Sequence, residues 1–360
     1  MNWNTALRIG VGAAGLVVVA AVLVTAWGGV VHGHPAHLIA LVVTGLGCIA
    51  AIGAALVPGR RAATPPRWRL VGLVAALIVA GAWFAVLGWA RPHTATADGL
   101  LQMRSDASVQ VRESATRIVL TPGGSVSSTA VVFLPGALVD ARAYAAVLRP
   151  LAEAGHPVVI VKEPFGIAFL ATGALDDARA AVPAATGRVV AGHSLGGTVA
   201  SQLAEEADDD PLAPAVGLLL WASYPAGDVS GSLSVRVLSL SGGSDGLATP
   251  AKIDASRAHL PAHAEFQRLP GVSHAQFGAY GAQSGDGTPT VSDAVAAASI
   301  SEASLRFVQT VARDRAASPA DAPRAVTRLL KQWWPTAHQP KGRLVRDTAR
   351  CLREDAACIW

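Results

Sequence analysis

Hydrophobic and polar positions divide the chain into a strongly apolar beginning and a longer, mixed remainder. Three uncharged apolar runs cover about residues 9–31, 38–57 and 70–90, and short polar joints separate them. A helix of about 20 apolar residues spans the hydrocarbon core of a bilayer. The pattern therefore predicts a membrane domain at residues 1–91 with three transmembrane helices. A cleaved signal peptide is the alternative for the first run, although its apolar core is long for one and two further spans follow.

The remainder alternates between short apolar runs and segments of helical composition. We interpret residues 92–115 as a linker, residues 116–312 as one soluble domain and residues 313–360 as a basic C-terminal extension. The predicted strands are 117–120, 130–134, 157–161, 188–191, 216–221, 235–240 and 264–269. Strands that alternate with helices are typical of an α/β fold, in which helices flank a mostly parallel sheet.

One predicted strand leads directly into a Gly-x-Ser-x-Gly motif. The letters GHSLG at residues 192–196 are followed by a helical segment that contains no proline. Strand, tight turn and helix in this order form a nucleophile elbow, in which the serine has a strained backbone. Gly192 and Gly196 leave room for such a turn. We therefore predict that Ser194 is a nucleophile, with an ordinary turn serine as the alternative, and that His193 is structural.

Two later loops carry a carboxylate and an imidazole. Asp245 follows the predicted strand 235–240, and His274 follows the strand 264–269. Serine is a weak nucleophile, so a base must take its proton, and an acid must orient that base. We predict His274 as the base and Asp245 as the acid. Asp228 is the spare candidate for the acid, and turn or surface-loop roles are the alternatives for Asp245 and His274.

These motifs resemble those of the α/β-hydrolase superfamily, in particular its small, lidless, dienelactone-hydrolase-like or esterase members. The chain order Ser, Asp, His is the order of that superfamily. The letters FLPGA at residues 133–137 are similar to its oxyanion turn, with Pro where many members have His. The resemblance covers about residues 116–312 and implies the α/β-hydrolase fold. It also implies an oxyanion hole made by the backbone N–H groups of Leu195 and of Ala137 or Leu138.

The implied reaction is acyl transfer from a small-molecule ester to water through an acyl-serine intermediate. It needs neither a metal nor an organic cofactor, and the sequence contains no zinc motif, Walker loop or dinucleotide fingerprint. An acyltransferase with the same triad is one alternative, and a non-catalytic, membrane-bound binding module is the other. Only residues 222–234 separate two predicted strands where many lipases insert a lid, so we expect an open, shallow site.

The charges along the chain predict its orientation in the cell membrane. Residues 1–92 contain six arginines and no acid, and Arg60 and Arg61 lie between the second and third apolar runs. The positive-inside rule places the N-terminus and this joint in the cytoplasm, and three crossings then place the soluble domain outside it. Residues 93–312 contain 13 basic and 20 acidic residues. The net charge of +4 therefore comes from the membrane part and the tail, and it does not indicate nucleic-acid binding.

Two smaller features of the sequence each have two interpretations. His32, His34 and His37 in the first joint could bind a metal, but such a cluster is more often an interfacial loop, and we expect no metal there. Cys351 and Cys358 close the chain. They could form a disulfide in an oxidising compartment, or they could be two free thiols.

Overall fold

The computed structural model of the chain describes residues 3–57, 67–210 and 214–317. The joint with Arg60 and Arg61 lies outside these ranges. Nearly all of the predicted extension, with Cys351 and Cys358, also lies outside them.

Three apolar helices open the chain. They are α1 (Trp3–Val31), α2 (Pro35–Leu56) and α3 (Arg67–Trp89). Each is long and apolar enough to cross a membrane, and α1 packs against both of the others. The start of α2 is fixed locally: Pro35 occupies its first turn, and His34 Nδ1 accepts a hydrogen bond from Ala36 N–H at 3.2 Å.

One eight-stranded sheet forms the centre of the soluble part. Its strands are β1 (Val109–Glu113), β2 (Arg117–Pro122), β3 (Thr129–Leu134), β4 (Val158–Val161), β5 (Gly187–His193), β6 (Ala215–Trp221), β7 (Arg236–Gly242) and β8 (Glu265–Leu269). Their spatial order is β1-β2-β4-β3-β5-β6-β7-β8. The strands from β3 to β8 pair in parallel, and β1 and β2 form an antiparallel edge. The predicted fold class, a mostly parallel sheet with flanking helices, is confirmed.

Helices cover both faces of this sheet. They are α4 (Ala97–Leu101), α5 (Ala145–Glu153), α6 (Ala174–Ala181), α7 (Leu195–Glu206), α8 (Pro250–Ala255) and α9 (Asp293–Ala317). Side chains of β3 alternate between two apolar clusters: Phe133 packs with α5 and α9, whereas Leu134 packs with α6 and α7. Trp221 of β6 is fully buried, and its Nε1 donates to Ser304 Oγ of α9 at 3.0 Å. Full burial of an apolar side chain such as that of Phe133 stabilises the fold by about 1.5–3 kcal/mol.

Residues 92–115, which we predicted to be a linker, contain regular secondary structure, namely helix α4 and strand β1. β1 pairs with β2 from Val109 opposite Pro122 onwards. Arg149 of α5 fixes the preceding chain by donating to Gln102 O at 3.0 Å and pairing with Asp106 at 2.5 Å. An edge strand that buries only its first residue has little apolar signal, which is why the sequence pattern did not reveal it.

Candidate active site

Ser194 lies on a sharp turn between β5 and α7. Its backbone has φ 52° and ψ −122°, in the left-handed region that favours glycine. A residue held in such a conformation costs about 1–3 kcal/mol, so the surroundings must enforce it. Ser194 N–H donates to Trp221 O at 3.0 Å, and Ser194 O accepts a hydrogen bond from Ser223 Oγ at 2.6 Å. Strand β6 and the residues after it therefore hold the turn in place.

Two glycines make this turn possible. A Cβ atom on Gly192 would lie 2.4 Å from the backbone of Gly196, and a Cβ atom on Gly196 would lie 2.1 Å from Pro135 O. Both distances are shorter than any real Cβ contact. A side chain on Gly192 would therefore push the end of β5 away from the start of α7, and one on Gly196 would push α7 away from the turn after β3.

His274 and Asp245 are joined by a buried hydrogen bond. His274 Nδ1 lies 2.9 Å from Asp245 Oδ2, and the exposed fractions of the two side chains are 2% and 0%. A carboxylate can only accept, so Nδ1 carries the proton and Nε2 presents a lone pair. Asp245 Oδ1 accepts from Leu247 N–H and Ala248 N–H, both at 2.8 Å. The carboxylate thus has one fixed orientation, with Oδ2 facing the imidazole.

Ser194 and His274 line the same pocket, which has a volume of about 240 Å³. The structure therefore brings together Ser194, His274 and, through His274, Asp245. It does not bring Asp228 to this site: Asp228 is exposed and accepts from Ser230 N–H at 2.9 Å within its own loop. Of the two predicted acids, Asp245 is the one that reaches the imidazole.

The turn after β3 supplies one free amide beside the elbow. Gly136 N–H donates to Tyr144 Oη at 2.8 Å, and Leu138 N–H donates to Gly166 O at 2.8 Å. Leu138 is therefore not available as the oxyanion donor that the resemblance allowed, because its amide already donates to Gly166 O. Among the described residues, no acceptor contacts the amides of Ala137 and Leu195. These two amides are available to a ligand.

His193 lies beneath the site as a buried packing group. Its Nδ1 shares a hydrogen bond of 2.9 Å with Tyr144 Oη, and its ring stacks on that of Phe277 with centroids 5.7 Å apart. The rings of His193 and His274 are 4.5 Å apart. Burial, followed by the proximity of His274, lowers the pKa of His193 well below its ordinary value. His193 is therefore neutral and supports the His274 ring without competing for a proton.

Asp286, which the sequence did not single out, connects the two loops that carry Asp245 and His274. Its Oδ1 accepts from Gly246 N–H at 3.0 Å and from His274 N–H at 3.1 Å. Its Oδ2 accepts from Ala275 N–H at 2.8 Å. Burial raises the pKa of Asp286, but the bonds from backbone amides outweigh burial and hold the pKa below its ordinary value.

The segment around Asp286 packs tightly against the loop that carries Asp245. A Cβ atom on Gly287 would lie 1.9 Å from Ser244 O, and one on Gly246 would lie 2.5 Å from Gly287 N. The letters GDG at residues 285–287 are typical of a turn, but nothing in the sequence indicates which loops that turn contacts.

The histidines of the first joint have separate surroundings. His32 Nδ1 lies 3.2 Å from Glu113 Oε1, His34 caps α2, and the His37 ring lies 5.9 Å from that of Phe165. Within the described ranges, no group of three or more His, Cys, Asp or Glu side chains could hold a metal ion.

Comparisons with known proteins find one family model and a number of similar solved structures. Residues 130–297 match the model of the alpha/beta hydrolase family. A lidless a/b serine hydrolase from Xanthomonas campestris, XC6422, is 17% identical with a TM-score of 0.36; the match covers 47% of this chain and 87% of that one. Est1E from Butyrivibrio proteoclasticus is 12% identical with a TM-score of 0.40, covering 56% of this chain and 99% of that one. The comparison with curated proteins finds no match.

The sheet order and the elbow after β5 are those of an α/β-hydrolase fold. Residues 130–297 match the model of that family, and three long apolar helices precede this domain.

Proposed function

We propose that the chain is a membrane-anchored serine hydrolase that cleaves carboxylic esters. The observation that carries this proposal is the buried 2.9 Å bond between Asp245 and His274, beside the strained Ser194. A backbone held in a costly conformation and a buried, oriented imidazole in one pocket are typical of an activated nucleophile. The α/β-hydrolase fold supports the same class of reaction.

In the proposed mechanism, Ser194 Oγ attacks the carbonyl carbon of the ester while His274 Nε2 takes the hydroxyl proton. Asp245 keeps Nδ1 protonated and stabilises the imidazolium. The oxyanion accepts hydrogen bonds from Leu195 N–H and Ala137 N–H, and the loss of one such donor typically lowers the rate by about 10²–10³. The intermediate collapses as His274 returns its proton to the leaving alcohol. Water then releases the acid from the acyl-serine by the same steps.

The surroundings of the pocket favour a small acyl group. Only residues 222–235 connect β6 to β7, which is too little chain for a separate cap over Ser194. Ala222, Ser223 and Tyr224 begin this connection and form part of the pocket wall. An open pocket of about 240 Å³ fits a short acyl chain better than a long buried one.

Turnover of p-nitrophenyl butyrate by the purified full-length chain tests the proposal. We expect hydrolysis by the wild type and a loss of about 10⁴-fold or more in Ser194→Ala, since the nucleophile is removed. Ser201→Ala is the matched control, because Ser201 belongs to α7 but its hydroxyl is bonded to Thr198 O at 2.7 Å. Retained turnover in Ser194→Ala would refute the assignment. Analysis of products with an added alcohol separates hydrolysis from acyl transfer.

We also propose that α1, α2 and α3 cross the cell membrane and that the hydrolase domain lies on the extracytoplasmic side. Three crossings and the arginines of the second joint support this orientation. A membrane-impermeant fluorophosphonate applied to intact cells should label the chain. Labelling only after cell lysis would place the domain on the cytoplasmic side.

A further inference from the structure

The ends of the apolar helices define where the membrane surface lies relative to the hydrolase domain. Trp27, near the end of α1, and Trp89, the last residue of α3, are both exposed. Exposed tryptophans at the ends of transmembrane helices sit at the headgroup level of a bilayer. A Cβ atom on Gly29 would lie 2.9 Å from Pro92, so the ends of α1 and α3 are at the same level.

The chain that leaves α3 is bonded directly to the turn that carries Ala137. His93 N–H donates to Leu138 O at 2.7 Å, and Asp140 N–H donates to His93 O at 2.9 Å. His93 is four residues beyond Trp89, and four extended residues span at most about 14 Å. The headgroup region adds only about 5–8 Å on each side of the hydrocarbon core. The oxyanion turn therefore stands close to the lipid headgroups.

The start of α2 is packed against the same edge of the domain. The His37 ring contacts Phe165, and the next residue, Gly166, accepts the hydrogen bond from Leu138 N–H. Glu163 and Leu138 line a cavity of about 30 Å³ at this junction. A cavity of that size holds about one water and no lipid headgroup. These contacts fasten the helices to the oxyanion turn, and the ester site is the separate pocket beside Ser194.

Two exposed apolar residues lie at the carboxyl end of β4, on the side of the sheet that contacts α2. Phe169 and Leu170 follow the carboxyl end of β4 in a segment that packs against α7, and each is 49% exposed. They come directly after the segment that touches α2. Exposed large apolar side chains beside a membrane surface are suited to contact lipid.

We propose that the substrate is an ester held in the bilayer by a long hydrocarbon chain, with its ester bond at headgroup depth and its short acyl side entering the pocket. Phe169 and Leu170 contact the lipid surface and keep this edge of the domain against it. The inference rests on the proposed ester hydrolysis and on the membrane crossing of the three helices. It adds the physical form of the substrate, an amphiphile taken from the membrane surface.

The test compares two esters that share one acyl group. Full-length protein in phosphatidylcholine vesicles receives either ethyl butyrate from solution or hexadecyl butyrate held in the same vesicles, and butyrate release is measured for both. The variant is Phe169→Ser with Leu170→Ser. The matched control is Val126→Ser, since Val126 is 51% exposed but precedes β3 and so lies at the opposite edge of the sheet.

We expect the wild type to hydrolyse the vesicle-held ester at least tenfold faster, and the double variant to lose at least tenfold of that rate. Its rate on ethyl butyrate should stay within twofold, which also shows that the variant is folded, and Val126→Ser should change neither rate. Hydrolysis of ethyl butyrate alone, or an equal loss on both esters, would overturn the inference while the proposed hydrolase function stands. If neither ester is cleaved and Ser194 is not labelled by a fluorophosphonate, the proposed function and the inference both fail.

Discussion

The two oxygens of Asp245 have different partners, and this asymmetry fixes the chemistry of His274. Oδ1 accepts two backbone amides, from Leu247 and Ala248, and Oδ2 faces His274 Nδ1. Because both backbone N–H groups donate, the atom at the Oδ1 position must be a hydrogen-bond acceptor. The group at Oδ2 alone therefore decides which tautomer the imidazole adopts.

Asp245→Asn should consequently be a severe catalytic change with little structural effect. The amide oxygen of Asn stays with the two backbone donors, so the NH₂ group faces His274 and forces the wrong tautomer. We expect kcat to fall by about 10⁴-fold with KM nearly unchanged. Asp228→Asn, in an exposed loop with its own partner, should change kcat by less than twofold. Steady-state kinetics decide this, and equal losses in both variants would contradict the assignment of Asp245.

Glu163 is a buried acid without a hydrogen-bond partner among the described residues. Burial raises its pKa well above the ordinary value, because desolvation disfavours the charged carboxylate. An acid with a raised pKa stabilises the fold at low pH, and this contribution is lost as pH rises above the ordinary value of about 4.

We therefore expect Glu163→Gln to unfold at a higher temperature than the wild type at pH 7, because the amide needs no proton. The difference should disappear below about pH 4, where both side chains are neutral. Glu206→Gln, at the exposed end of α7, is the control, and its unfolding temperature should equal that of the wild type at both pH values. Differential scanning fluorimetry from about pH 3 to pH 8 measures the effect. A lower unfolding temperature at pH 7 would show that a cation pairs with Glu163.

Local spacing was enough to predict several residues of the candidate site, because the relevant constraint lies within a few positions of the chain. Gly192 and Gly196 flank Ser194 because a Cβ atom at either position would collide with nearby backbone, and the Gly-x-Ser-x-Gly motif shows this requirement directly. The engagement of Leu138 N–H was not predictable in this way. Its acceptor, Gly166 O, lies on a different loop, and only the packing of β3 beside β4 brings the two together.

The elements around the site depend on a segment that has no regular structure. Residues 283–291 run beside the loops after β7 and β8, and Asp286 bonds amides of both. Thr290 N–H also donates to Gly271 O at 2.9 Å. The relative position of Asp245 and His274 is therefore set by this segment as well as by the sheet.

Asp286→Asn tests that role. The NH₂ group of Asn cannot accept from a backbone amide, so at least one of the three amide bonds is lost, and we expect kcat to fall by about 10-fold to 100-fold. The pKa of Asp286 lies below its ordinary value, so the carboxylate stabilises the fold above about pH 4 and this contribution is lost at lower pH. The variant should therefore unfold at a lower temperature at pH 7, with a smaller difference at more acidic pH.

The control for Asp286→Asn is Asp209→Asn in the turn after α7. Asp209 is exposed, so this variant should match the wild type in kcat and in unfolding temperature. If Asp286→Asn loses stability but keeps full kcat, the segment supports the fold without positioning the two side chains.

Strands and helices were predictable to different degrees for a physical reason. The strands from β3 to β7 are buried on both faces, so they appear in the sequence as continuous apolar runs. β1 exposes most of its side chains and is stabilised by pairing with β2 and by Arg149. Those partners are distant in sequence, so a local pattern could not identify β1 within the predicted linker.

The apolar helices and the hydrolase domain share contacts at the turn that carries Ala137. His93 joins this turn to the end of α3, and Phe165 joins the neighbouring loop to α2. Hydropathy predicted the three helices because a bilayer demands apolar length. Hydropathy contained no information on which side of the sheet the helices would contact. They contact the carboxyl ends of β3 and β4, where the candidate active site also lies.

The most direct test of the account is to identify the residue that a fluorophosphonate modifies in the native, full-length protein. We predict a single adduct by peptide mass spectrometry, on the peptide that contains Ser194. The adduct should be absent after heat denaturation and should form far more slowly in Asp245→Asn. An adduct on a different serine, or native protein that remains unmodified at Ser194, would contradict the claim that the elbow serine is activated by His274 and Asp245.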